Sequence, residues 1–207
     1  MRRKVFCFLG LCLIFTQSKL FALTPKELEE NIKNYFALNF SRLRQVASSY
    51  PQPNNFREIM KPVAEETEGF FGASLISPDF IILQVYYPSH FLARGYDLKK
   101  VKELEYFYKL MQENPQPQLS EPAGGGPLNP RLIAMRYPIV KEKKLIGVVS
   151  MMVREEAFLK AVGLDKVKAF RIICLGKLAK EKGKFSAEYK EIKLSLPSTE
   201  WIIQYQD

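Results

Sequence analysis

The sequence is poor in the residues that staple or metallate small proteins. Its 207 residues hold three cysteines and one histidine, His90. Cys7 and Cys12 lie near the N-terminus, so the body of the chain keeps only Cys174, and an internal disulfide there is excluded. Cys174 sits in Phe170-Arg171-Ile172-Ile173-Cys174-Leu175 and reads as a small buried hydrophobe. His90 has no second histidine or cysteine at metal-ligand spacing and reads as an ordinary loop residue beside Pro88. No nucleophile elbow, P-loop or zinc signature occurs. Gly124-Gly125-Gly126 does not join a strand to a helix, so it reads as a flexible loop and not a phosphate cradle. Acidic pairs such as Glu65-Glu66 and Glu155-Glu156 read as surface runs rather than as acid–base partners in a cleft. Nothing here calls for catalysis, a metal or a cofactor.

One apolar run stands out, at the start. Met1-Arg2-Arg3-Lys4 is positive, Val5 to Phe15 is apolar and uncharged, and Thr16 to Ala22 ends in a small residue. That order is a secretory signal. The run of about 11 residues is too short for a membrane span, which needs about 20. We expect cleavage after Ala22, giving a leader over residues 1–22 and one domain over residues 23–207. The expected location is periplasmic or secreted. The leader carries four of the 31 basic residues and no acidic one. Without it, 27 basic face 22 acidic residues, so the formal charge falls from +9 to +5. The remaining lysines fall in short pairs, which read as solvated turns, and the pattern excludes a nucleic-acid stripe.

The domain opens with Thr24-Pro25-Lys26-Glu27, a cap, a first-turn proline and a capping-box glutamate. Apolar residues from Leu28 to Tyr50 recur at spacings of three and four. They predict a helix of about 26 residues, roughly 40 Å long. A second helix is expected over 56–68, with Pro62 kinking or interrupting it. Strands are expected over 70–76 and 80–87, and a helix over 101–113. A proline- and glycine-rich loop follows. The clearest hairpin joins 131–140 to 145–153 through a charged turn. A short helix over 154–162 ends at Gly163, and strands follow near 170–175, 189–196 and 201–205. Gly176 and Gly183 are expected to bracket a polar turn. This order predicts an α+β fold, with one antiparallel sheet and helices on one face.

Several segments together resemble the extracellular Cache sensor family, which are PAS-like ligand-binding domains. Glu105-Tyr106-Phe107-Tyr108-Lys109-Leu110 looks like that family's aromatic helix above the ligand. Gln118 to Pro122 is similar to the strand after it. Arg136-Tyr137-Pro138-Ile139, with Leu145-Ile146-Gly147-Val148-Val149-Ser150, resembles its signature hairpin. Pro197-Ser198-Thr199-Glu200-Trp201 is similar to its final turn and strand. The resemblance implies a long N-terminal helix packed on an antiparallel PAS-like sheet. Amino-acid-binding members carry an arginine before the aromatic pair and an aspartate after the Gly-Val-Val strand. Here Glu105 and Met152 stand at those positions, so that ligand does not carry over. The chain stops at Asp207, where typical receptors continue into a membrane helix, and it looks like a sensor domain used alone.

The expected function is an exported, non-enzymatic module that binds a small molecule in a pocket between the sheet and the 101–130 segment. A membrane receptor or transporter is the expected partner. Arg94, Tyr96, Tyr108, Arg136 and Tyr137 are the candidate ligand-binding residues, able to fix an anionic or hydroxylated ligand inside an apolar wall. Strand alternation puts Arg136 and Tyr137 on opposite faces, so only one of them can line such a pocket directly. Three other readings stay open: a periplasmic carrier of lipid or another apolar molecule, an interaction protein whose first helix pairs with another subunit, and, more distantly, an exported hydrolase.

Overall fold

The computed structural model describes residues 23–87, 94–124, 130–186 and 188–207. The leader, His90 and Gly125-Gly126 lie outside the described residues. The first helix, α1 (Pro25–Ser48), starts with the expected capping box: Thr24 Oγ1 accepts from the Glu27 amide at 3.2 Å, and Glu27 Oε2 accepts from the Thr24 amide at 3.0 Å. Thr24 Oγ1 also donates to Glu27 Oε2 at 2.6 Å; that bond first, and the one from the Thr24 amide second, favour the ionised carboxylate and hold the Glu27 pKa below its usual value. Leu28, Ile32, Phe36, Phe40, Leu43 and Val46 form the buried stripe. The 24-residue helix is about 36 Å long at 1.5 Å per residue. α2 (Phe56–Glu66) buries Phe56, Met60 and Val63 and continues past Pro62.

Two antiparallel sheets follow, not one. The first holds β1 (Phe70–Ile76), β2 (Ile82–Tyr86), β3 (Gln118–Leu119), β4 (Leu132–Lys141) and β5 (Lys144–Arg154), in the order β2-β1-β5-β4-β3. The second holds β6 (Ala169–Cys174), β7 (Lys177–Lys182), β8 (Lys190–Leu196) and β9 (Thr199–Gln206), in the order β7-β6-β9-β8. α4 (Glu155–Val162) joins them and ends at Gly163, whose φ of 86° supplies the left-handed cap. The length of α1 now has a reason: it packs on β4 and β5 of one sheet, on α4, and on β8 of the other. One continuous core results, with Phe36, Phe158 and Trp201 in mutual ring contact at its centre.

The expected polar turn between Gly176 and Gly183 is instead strand β7. It lies at a sheet edge, and only Leu178 and Ala179 in it are apolar. A lysine-rich edge strand discourages pairing with other chains and carries no alternation to betray it. Glu155 is also not a surface residue. It is 2% exposed and bridges Arg131 Nε at 3.1 Å and Lys180 Nζ at 3.0 Å, joining α4 to both sheets.

Helices cover both faces of the first sheet. α1 and α2 cover the face formed by Ile133, Met135, Val149, Met151 and Val153. α3 (Glu105–Glu113), shorter than the expected 101–113 helix because a 3-10 turn precedes it, covers the other face. There Ile76, Phe80, Phe107, Met111 and Val148 form a small second core. Pro138 is tolerated in β4 for a simple reason. The Ala134 amide points toward β3, donating to Ser120 Oγ at 2.9 Å. By alternation the amide-less Pro138 faces the same way, beyond the last β3 pairing at Arg136.

Candidate functional site

The face of the first sheet under α3 is not fully packed. A cavity of about 640 Å³ opens there. Its first wall is the segment 103–107, through Glu103, Leu104, Tyr106 and Phe107; the second is the strand face of Ala134, Arg136 and Met152. β3 and the residues after it supply Gln118, Ser120, Glu121 and Ala123. The fourth wall belongs to the second sheet: Cys174, Leu175 and Lys177 at the β6–β7 turn, and Ser198 and Thr199 at the β8–β9 turn. The 101–130 segment is part of the lining, as expected, whereas this wall has no counterpart among the expectations from sequence. Its only local signal is the turn character of Leu175-Gly176 and Pro197-Ser198.

Two hydrogen bonds close the junction between the sheets: the Leu119 amide donates to Pro197 O at 3.0 Å, and Ser198 Oγ donates to Pro117 O at 3.0 Å. Within the second sheet, the Leu175 amide donates to Glu200 O at 3.1 Å. Arg131 holds the rim. It donates to Pro122 O at 2.8 Å, Gly124 O at 3.0 Å and Ala179 O at 2.5 Å while paired to Glu155. Gln118 is buried and donates to Phe107 O at 3.3 Å, tying β3 to α3.

Arg136 is the outstanding group. Its Cζ lies 4.4 Å from the centroid of the Phe107 ring, and Phe107 meets Phe80 edge-on at 5.4 Å. The stack props the guanidinium against a firm aromatic base. Among the described residues it donates no hydrogen bond and forms no ion pair; Glu121 acts on it only through space. Burial, which disfavours the charged form, lowers its pKa to about 10. It therefore stays cationic at neutral pH, with its donors unspent. Cys174, 3% exposed, is a free thiol whose pKa burial raises to about 12. A thiol so far from ionisation is a poor nucleophile.

The structure separates the five candidates. Arg136 lines the cavity. Tyr137 lies on the opposite face and packs on the α1 core. Tyr108 joins the second small core, 5.7 Å from Phe80, and is outside the cavity wall. Tyr96 is 46% exposed and Arg94 is exposed; neither lines the cavity.

No protein-family model matches the sequence, and no curated protein matches it. Solved structures do. An extracellular ligand binding receptor from Desulfohalobium retbaense superposes with a TM-score of 0.67 at 13% identity, over 87% of this chain and 39% of that one. The chain thus spans well under half of that receptor. The ligand-binding domain of the Pseudomonas aeruginosa amino acid chemoreceptor PctC, in complex with GABA, gives 0.62 at 15% identity, over 86% and 94% of the two chains. That of the Pseudomonas fluorescens chemoreceptor CtaA, in complex with L-alanine, gives 0.61 at 15%, over 87% and 92%. With its long first helix, its two antiparallel sheets and a cavity beneath α3, the chain has the Cache-type, PAS-like fold of chemoreceptor ligand-binding domains.

Proposed function

We propose that this chain is an exported sensor-type module that binds a small molecule without catalysis and presents the bound form to a membrane partner. The observation that carries the reading is the cavity under α3, with Arg136, which makes no hydrogen bond or ion pair among the described residues, in its wall. A site of several hundred cubic ångströms with a mostly apolar wall and a few convergent polar groups is the usual form of a small-ligand pocket. The fold is that of ligand-binding domains, among them ones complexed with GABA and L-alanine. The signal-type N-terminus supports export. Among the described residues, no helix is long and apolar enough to cross a membrane. The cavity's cysteine is held far from its reactive thiolate form. The test is a thermal-shift screen of the folded protein against organic acids, amines and purines. Binding of N but not U raises the apparent stability by about 2.7 kcal/mol at a hundredfold excess over Kd. Stabilisation by one class supports the reading; no stabilisation by any compound contradicts it. Co-purified lipid filling the cavity would instead favour the carrier reading.

A further inference from the structure

We infer that the ligand is an organic carboxylate with an apolar, uncharged body, its carboxylate held by Arg136 and its body covered by Leu175. The inference rests on the ligand-binding reading above and names the class of compound that site takes.

The first argument is charge. A guanidinium presents donors in a planar fork that matches a carboxylate with two parallel bonds. Arg136 spends none of them on the described residues. Glu121 reaches it only through space, so a neutral ligand would leave the fork without a charged partner in contact, and an amine would be repelled by it. Lys177, also in the wall, adds charge of the same sign.

The second argument concerns the rest of the ligand. The acidic residues in the wall, Glu103 and Glu121, are both exposed. An ammonium group would meet solvent-exposed carboxylates, where a charge pair gains little. Met152, Ala134 and Leu104 present an apolar wall to the body.

The third argument is a local rule broken at the cavity. Leu175 and Gly176 are the central residues of the β6–β7 hairpin, at φ of 47° and 76°. Such two-residue turns favour Asn-Gly or Asp-Gly, because both positions need positive φ. Leucine there costs stability, and this one is 57% exposed, so packing in the empty protein does not repay it. Leu175 lines the cavity. Covering an apolar ligand is what gives that placement a use.

The experiment measures calorimetric affinity and thermal shift for monocarboxylates from butanoate to octanoate and for benzoate. Hexanamide and norleucine serve as the neutral and zwitterionic counterparts of hexanoate. Hexanoate is expected to bind at least about tenfold more tightly than either, the worth of one charge-assisted contact. Arg136→Met should abolish its binding, and Arg136→Lys, which keeps the charge but loses the fork, should weaken it about tenfold. Leu175→Asn should raise the Tm of the empty protein by roughly 2–4 °C and weaken hexanoate. Hexanamide or norleucine binding as tightly as hexanoate overturns the inference, as does hexanoate binding that survives Arg136→Met. Stabilisation by amines or purines with none by carboxylates overturns the ligand class and leaves the binding reading standing. Silence across the whole screen overturns both.

Discussion

The two faces of the first sheet are made by the same strands, one residue apart, yet they are built differently. Toward α1, Ile133, Met135, Val149, Met151 and Val153 are all fully buried in the main core. Toward α3, the alternate residues are Ala134, Arg136, Ser150 and Met152, beside a small satellite core and an open cavity. The first face has the composition of a packed interior. The second has small, polar or flexible residues and Arg136, which makes no hydrogen bond or ion pair among the described residues. Period-two alternation thus lets one hairpin build a packed core on one side and a cavity wall on the other. The second sheet extends the division: α1 and Trp201 belong to the core, whereas the tips of the β6–β7 and β8–β9 turns belong to the cavity.

Substitutions should separate these roles, and the largest effect is expected where the sheets are tied. Glu155→Ala leaves Arg131 and Lys180 without their shared buried partner. We expect a loss of about 3–5 kcal/mol by urea denaturation, together with a looser cavity rim, because Arg131 also holds Pro122 and Gly124. A loss under about 1 kcal/mol would mean the tie is ornamental. Gly147→Leu comes next. A Cβ at Gly147 would already stand 3.0 Å from the Ile76 carbonyl oxygen and 3.4 Å from Ile139 Cδ1. The crowding comes from β1 and from the neighbouring strand, not from α3. It should cost roughly 1–3 kcal/mol without a specific effect on ligand affinity, since Gly147 is not in the cavity wall.

Cys174 offers a smaller, sharper probe. It is buried, and its pKa is raised to about 12, so native-state alkylation should be slow. It lines the cavity, so a bound ligand should slow alkylation further. Fast labelling, indifferent to ligand, would remove it from that wall. The mildest effect is on pH. Burial lowers the Arg136 pKa to about 10. Carboxylate affinity should be flat from about pH 6 to 9 and fall above about 10 as the cation is lost. The empty protein should show the opposite sign. Between that value and the ordinary arginine value the unfolded chain binds the proton that the folded chain has released, so this group's contribution to stability rises with pH.

Much of this was written locally in the sequence. The capping box at Thr24 and Glu27, the α1 stripe and the 132–154 hairpin depend on neighbours in the chain, and periodicity exposes them. Alternation was enough to state that Arg136 and Tyr137 must part company; the structure supplies which goes where. What escaped depends on contacts far apart in the chain. β7 escaped because an edge strand of lysines has no apolar rhythm. The second sheet was merged with the first because strand signals carry no information on partners. Leu175 and Thr199 reach the cavity only because β3 bonds to the β8–β9 turn, some eighty residues away, as in Ser198 with Pro117. Tyr108 and Phe107 are adjacent on α3 and both meet Phe80, but the roughly 100° between helical neighbours puts only Phe107 under Arg136 and in the cavity wall.

The division between the two faces is tested most directly on a single adjacent pair, Met135→Ala and Arg136→Met, each assayed for unfolding free energy and for hexanoate binding by calorimetry. Met135 is fully buried in the main core, so its truncation should cost about 2–5 kcal/mol and leave the affinity of the folded fraction unchanged. Arg136→Met keeps an apolar stem on Phe107 and removes a desolvated charge that Glu121 reaches only through space, so its stability should stay within about 1 kcal/mol of the parent or rise, while hexanoate binding disappears. If Arg136→Met unfolds the protein as Met135→Ala does, or binds hexanoate as the parent does, the two faces do not divide the work in this way.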